Sequence, residues 1–209
     1  MKVSPPYPGF FAVFEGIDGA GKSTQARRLG ERLTARGERV VLSREPTMGR
    51  WGKQLRESAQ TGRRSIEEEL ELFLKDRREH VNELILPRLR EGCVVIVDRY
   101  YFSTAAYQGA RGLDPQELIR RNEEFAPEPD LLVLFDLPVE DGLGRVRARG
   151  DQADHFEQVE ALRRVREIFL SIQKPYLVKV DARREPDAIA EEILRALDEK
   201  RGAKVPPTD

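Results

Sequence analysis

Near the start of the chain stand Gly16-Ile17-Asp18-Gly19-Ala20-Gly21-Lys22-Ser23, a complete G-x-x-x-x-G-K-S/T pattern followed by Thr24. Residue types and spacing both point to phosphate chemistry. Glycines let a loop turn its backbone N–H groups onto phosphate oxygens, and a helix start behind the loop adds partial positive charge. In such a pattern Lys22 reaches the β- and γ-phosphates of a nucleoside triphosphate, and the Ser23 hydroxyl takes a place on Mg2+. The residues from Gly16 to Thr24 then form a nucleotide-binding loop, with an ordinary glycine-rich turn as the competing reading. The apolar run Phe10-Phe11-Ala12-Val13-Phe14 before the loop predicts a buried strand. After it, 24–33 predicts a helix with Ala26, Leu29 and Leu33 on one face.

Other chemistry-bearing residues sit where apolar runs end. The run 94–97 ends in Asp98-Arg99-Tyr100. A strand-end Asp there suits a second anchor for the Mg2+ shell, and the planar fork of Arg99 suits a phosphate. The alternative for Asp98 is a cap on the next helix. The run 39–42 leads into Arg44-Glu45-Pro46, where X-Pro fixes a tight turn that can be cis. Arg44 is then either a cleft residue or a solvated loop arginine. On a helical stretch over 65–82, Phe73 and Arg77 lie four apart and share a face. A ring beside a guanidinium suits a planar heterocycle, although Phe73 alone reads as core with Leu70, Leu74 and Val81. Over 139–149, Val139, Leu143 and Val146 make a buried stripe, while Arg145, Arg147 and Arg149 lie elsewhere on the helix. With the polar segment 150–155 they read either as a lid over 142–156 that neutralises a transferring phosphoryl group, or as a solvated charged face.

These residues need a scaffold that gathers strand ends. Apolar, β-branched runs at 10–14, 39–42, 94–97, 131–135 and 176–180 alternate with helical patterns. That alternation predicts an α/β fold with a mainly parallel five-stranded sheet covered by helices on both faces. Ligands in such sheets collect at the carboxyl ends of the strands. One domain over 1–209 is expected, with an N-terminal extension at 1–9 and a polar tail at 199–209. Charged residues are 35% of the chain yet cancel to a net −1, which argues against nucleic-acid or membrane binding driven by bulk charge. The single cysteine, Cys93, excludes an intramolecular disulfide and lies in an apolar run, where burial is expected. Neither a secretory h-region nor an apolar run of membrane-spanning length is present, so a cytoplasmic protein is expected.

Taken together, the motifs resemble the thymidylate kinase family, P-loop enzymes that phosphorylate dTMP with ATP. The resemblance runs over about 11–197. It rests on Phe14-Glu15-Gly16 through Thr24, Arg44-Glu45-Pro46, Leu72-Phe73 with Asp76-Arg77, Asp98-Arg99-Tyr100 with the stretch from Ser103 to Gln108, and the segment after Asp136. It implies a P-loop NTPase-type sheet, ATP and dTMP as substrates, Mg2+, a role in dTTP synthesis, and a homodimer formed through helices flanking the sheet. Asp18 would bind the 3′-hydroxyl, Phe73 stack on thymine and Arg77 contact a base carbonyl. Arg99 and Arg44 would clamp the acceptor phosphate beside Pro46, and Asp98 would belong to the Mg2+ environment. Thr104 would face the base, and Tyr107 and Gln108 would line the same pocket near the sugar. Gly19 stands where some members have a loop arginine, and members without one rely on lid arginines, here Arg147 and Arg149. Two departures stand out. Thr47-Met48-Gly49-Arg50-Trp51-Gly52 replaces the family's Gly-Gly-Thr after Pro46, and His155 replaces a lid arginine.

Overall fold

Six consecutive buried residues, Phe10–Glu15, form strand β1. A strand buried on both faces belongs inside a parallel sheet covered by helices, and β1 lies at its centre. In the computed structural model, which describes residues 7–61, 64–148 and 156–204, β1 pairs with β3 (Val94–Asp98) and β4 (Leu131–Asp136). The half-exposed strands β2 (Val40–Arg44) and β5 (Leu177–Asp181) take the edges, giving the all-parallel order β2-β3-β1-β4-β5. The chain leaves β1 toward β2 and β3 on one side and continues to β4 and β5 on the other. Strand order therefore reverses at β1, and a crevice opens at its carboxyl end. Register aligns the functional ends there: Phe14 and Arg44 both pair with Asp98.

Helix α1 (Lys22–Ala35) buries Ala26, Leu29 and Leu33 against the sheet, the face its periodicity predicts. Helix α2 (Arg50–Thr61) precedes α3 (Ile66–His80), which starts on a capping box in which Ser65 and Glu68 satisfy each other's backbone N–H groups. The helix expected over 65–82 does not stop there. It widens into a π-turn (Val81–Ile85) and continues as α4 (Leu86–Arg90). Pro87 has no N–H to give the preceding turn, and the wider turn carries the helix past it. The remaining helices are α5 (Tyr101–Gly109), α6 (Pro115–Glu123), α7 (Val139–Arg147), α8 (Phe156–Ser171) and α9 (Pro186–Lys204).

The ends of the chain are described from residue 7 and to residue 204. The tail expected from residue 199 is helical to Lys204: Lys200 Nζ donates to the Pro175 carbonyl at 2.8 Å and Arg201 pairs with Glu38 at 2.6 Å. Arg201 also lies over the Phe10 ring at 5.2 Å, so its stem covers the start of β1. Only 205–209 of that tail lie outside the described residues. At the other end Tyr7 is buried and Gly9 N–H donates to the Leu89 carbonyl at 2.9 Å, so 7–9 pack onto the domain. Cys93 is buried and free, as expected. No helix among the described residues is long and apolar enough to cross a membrane.

Candidate active site

The turn out of β1 needs backbone that L-residues rarely adopt: Gly19 and Gly21 have φ of 82° and 88°. Gly21 offers no side-chain cap to α1, so the N–H groups of the helix's first turn stay open to the cleft. Gly16, Ile17 and Ala20 are buried. Gly19, Gly21, Lys22, Ser23 and Thr24 line a cleft of about 260 Å³ together with Asp18, Arg44, Pro46, Asp98 and Arg99. Lys22, only 6% exposed, folds over the loop, and its Nζ donates to the carbonyls of Gly16 at 2.9 Å and Ile17 at 2.8 Å. Burial and the Arg99 cation push its ammonium down to about 8, against the pull of Asp18, Asp98 and Glu15. Bound anionic phosphates would raise it again. ATP binding at pH 8 should therefore take up about half a proton, and almost none at pH 6, where Lys22 is charged before and after binding. Calorimetry in two buffers of different ionisation heat measures this, and binding at pH 8 without proton uptake contradicts it.

The Ser23 hydroxyl donates to Asp98 Oδ2, while Asp98 Oδ1 is buried and has no hydrogen-bond partner. A hydroxyl and a carboxylate oxygen free to coordinate form a hard oxygen donor pair, and this fits Mg2+. The pair also accounts for a buried acceptor that is otherwise costly to leave unsatisfied.

Arg99 sits in the left-handed region at φ 69°, alone among the described non-glycine residues. Such strain persists where the surroundings over-determine it. Its guanidinium ion-pairs with Asp18 at 2.6 Å, donates to Ser103 Oγ at 2.8 Å and approaches the Tyr107 hydroxyl at 3.4 Å. The Tyr107 hydroxyl donates to Asp18 Oδ2 at 3.3 Å. Partial burial pushes the Asp18 carboxyl up, but Arg99 and Lys22 draw it below its ordinary value on balance. Burial pushes the Tyr107 phenol up to about 12, so it stays protonated and able to donate.

Beside the phosphate cleft, and sharing Asp18, Glu45, Pro46 and Arg99 with it, is a pocket of about 200 Å³ lined by Phe73, Arg77, Thr104 and Tyr107. Arg77 is 1% exposed and nearly committed. Its Nε and NH2 donate to Glu45 Oε2 at 2.9 and 2.6 Å, NH1 to Asn122 Oδ1 at 2.7 Å, and NH2 to Thr104 Oγ1 at 3.1 Å. Of the five guanidinium N–H groups, one on NH1 is left over. Thr104 accepts from Arg77, so its own hydroxyl proton is free to donate elsewhere. Burial raises the Glu45 carboxyl, yet Arg77 and His80 bring it below its ordinary value on balance. His80 Nδ1 lies 3.0 Å from Glu45 Oε1. The Glu45–Pro46 peptide is cis, one of the two forms open from sequence.

The sequence pattern missed much of this support. Glu45, His80 and Asn122 reach the site from elements far apart in the chain. Asp76, buried beside Arg77, accepts from the Thr47 N–H at 2.9 Å and the Thr47 hydroxyl at 2.6 Å. The altered loop after Pro46 is thus pinned to α3. Gly52 closes it: a Cβ there would meet the Thr47 carbonyl oxygen at 2.0 Å. Gln108 is not in the Arg77 pocket. It is held by Glu69 at 3.2 Å and Arg111 at 2.9 Å in the wall of an adjoining cavity of about 590 Å³, which also contains Tyr107, Phe73 and Asp18.

On the lid side, the sequence left Arg145 with the other helix arginines, but its guanidinium touches the phosphate loop. It donates to the Gly19 carbonyl at 3.3 Å and the Ala182 carbonyl at 3.1 Å. A Cβ on Gly19 would meet the Gly142 carbonyl oxygen at 2.4 Å, so α7 packs on the loop where a larger residue would have to displace it. Arg147 lies exposed near the end of α7, and Arg149 and His155 lie outside the described residues.

The family model for thymidylate kinase matches residues 14–193. Among curated proteins, the chain is 55% identical over 181 residues to the thymidylate kinase of Xanthomonas euvesicatoria pv. vesicatoria, covering 87% of this chain and 80% of that one. It is 50% identical over 189 residues to the thymidylate kinase of Akkermansia muciniphila, covering 90% and 91%. To that of Xanthomonas oryzae pv. oryzae it is 50% identical over 205 residues, covering 96% and 90%. With a matching model across most of its length and relatives this similar, the chain belongs to the thymidylate kinase family.

Proposed function

We propose that the protein transfers the γ-phosphoryl group of ATP to dTMP, giving dTDP and ADP in the route to dTTP. The observation that carries this reading is that two cavities share part of their walls, Asp18, Glu45, Pro46 and Arg99. Arg99 and Asp18 stand both in the phosphate cleft and in the pocket with Phe73 and Arg77. A phosphate-bearing acceptor can thus lie with its ring in one and its phosphate in the other.

ATP would run along the loop, with Lys22 exchanging the Gly16 and Ile17 carbonyls for β- and γ-phosphate oxygens. Ser23 and Asp98 would hold Mg2+, which supplies neutralisation of charge between the phosphates. Arg99 and Arg44 would hold the acceptor phosphate in line, and Asp18 would receive the 3′-hydroxyl. Phe73 would stack on the base, while the one uncommitted N–H of Arg77 and the Thr104 hydroxyl supply donors at its edge. Tyr107 and Gln108 would bound the sugar side. A nucleotide phosphate is already an anion, so positioning and electrostatics replace a strong base. Residues 142–156 would close as a lid that excludes water, with Arg147 and Arg149 neutralising the transferred group. The same reading takes the chain as one P-loop kinase domain that works in the cytoplasm as a homodimer, without nucleic-acid or membrane partners. Family membership supports it.

The direct test is product identity: Mg·ATP with dTMP should yield dTDP and ADP in equal amounts, and ADP without dTDP overturns the proposal. Phe73→Ala should raise KM for dTMP about tenfold while leaving KM for ATP within about twofold, because only the base loses its stacking surface. Steady-state kinetics with each substrate varied in turn checks this.

A further inference from the structure

Glu15 is 1% exposed, lies at the end of β1 behind the phosphate loop, and lines neither the phosphate cleft nor the ring pocket. Both its carboxylate oxygens are nevertheless occupied, and all their donors belong to the segment that carries Arg99. Oε1 accepts from the Tyr100 N–H at 2.8 Å and the Ser103 N–H at 2.9 Å, and Oε2 accepts from the Ser103 hydroxyl at 2.5 Å. A guanidinium only donates, so Ser103 Oγ accepts from Arg99 Nη1 at 2.8 Å, and the proton it gives to Glu15 keeps the hydroxyl's lone pairs turned toward Arg99. The same carboxylate therefore governs Arg99 twice. Through Tyr100 it fixes the turn that follows the left-handed Arg99 backbone, whose own N–H donates to the Phe14 carbonyl at 2.9 Å. Through Ser103 it fixes the guanidinium.

Tyr100, the N-cap of α5, supplies no side-chain cap, so Glu15 also satisfies N–H groups at that helix start from another element. A helix start needs an acceptor, and any carboxylate, amide or hydroxyl would serve. Holding a serine hydroxyl as a committed donor is a narrower requirement. Ionised, Glu15 meets it because a carboxylate only accepts, whereas an amide nitrogen at Oε2 would donate and compete for the Ser103 Oγ lone pairs. Burial pushes this carboxyl up to about 7, so the relay is complete above that pH.

We propose that Glu15 is a positioning residue for the phosphate-binding arginine, acting through Ser103 in a relay Glu15–Ser103–Arg99–Asp18. This rests on the acceptor-phosphate role of Arg99 proposed above. The relay stores the fork in its binding geometry before the acceptor arrives, so little ordering is left to do on binding.

The test measures dTMP and ATP affinity separately by calorimetry on the full chain, alongside thermal stability. Glu15→Gln keeps the shape but sets a competing donor at the hydroxyl, and it should weaken dTMP binding about tenfold while ATP stays within about twofold. Ser103→Ala should weaken dTMP about fivefold without touching the carboxylate, and Ser103→Thr should recover most of that loss. Because the two residues act in series, the double variant Glu15→Gln with Ser103→Ala should be no weaker than Glu15→Gln alone. The relay is overturned if Glu15→Gln binds dTMP like the wild type, if both ligands weaken equally, or if the two substitutions add. Should Glu15→Gln fail to fold, the Ser103 pair decides: unchanged dTMP affinity in Ser103→Ala overturns the relay, and a selective, threonine-rescued loss supports it. A wild-type protein that does not bind dTMP overturns the functional reading and the relay together. Wild-type binding with an indifferent Glu15→Gln overturns the relay alone.

Discussion

Replacing Lys22 by Ala should lower kcat by about 10²–10³-fold at saturating ATP and dTMP, the scale of losing one preorganised electrostatic donor. The geometry makes this the most direct loss available. Lys22 is buried at the loop, its Nζ is parked on two carbonyls of that loop, and it lies within the fields of Asp18, Asp98 and Glu15. Among the described residues no second lysine lines the cleft. Charge developing on the β- and γ-phosphate oxygens would then be met by backbone N–H groups, the metal and the arginines, without the lysine. The fold should survive, because the hydrogen bonds of Lys22 stay within its own loop, to the Gly16 and Ile17 carbonyls. Turnover within fivefold of the wild type would sink the mechanism.

Arg99→Ala should cost kcat/KM for dTMP about 10³-fold, with KM for ATP changed far less. The substitution removes the fork from the acceptor phosphate. It also leaves Asp18 without its partner at 2.6 Å and Ser103 Oγ without its donor. Arg99→Lys separates charge from shape. A lysine keeps the cation but not the planar pair of donors, so it should recover only part of the loss. Equal loss toward both substrates would place Arg99 in the general scaffold instead of the acceptor site.

The strands and the phosphate loop were legible in the sequence for a local reason. The run 10–14 is unbroken apolar chain feeding a glycine-rich turn, and the helix after it declares its buried face at 26, 29 and 33. Asp98, Arg99 and Arg44 were readable because a parallel sheet sends every strand end to one edge. The second layer of the site was not. Glu45 meets Arg77 across 32 residues, Arg77 meets Asn122 across 45, and Glu15 meets Ser103 across 88. Pairings over such distances leave no periodicity in a single sequence. Glu15 in particular reads as one polar residue ending an apolar strand, and only its three donors give it a role. The helical stretch 199–204 was hidden for the opposite reason: its long charged side chains look like a tail, yet their stems and ion pairs dock it on β1 and β2's approach. Arg145 was one of three similar arginines until the fold laid α7 across Gly19.

The central claim is that this site joins an ATP cleft to a pocket for one acceptor. ADP formation by the purified protein with Mg·ATP should be measured against dTMP, dUMP, dCMP, dGMP, AMP, UMP and no acceptor. Turnover should be fastest with dTMP, weaker with the acceptors whose base or sugar the Phe73, Arg77 and Tyr107 pocket fits less well, and close to background with none. Equal ADP formation whichever monophosphate is present, or none at all, would contradict the account.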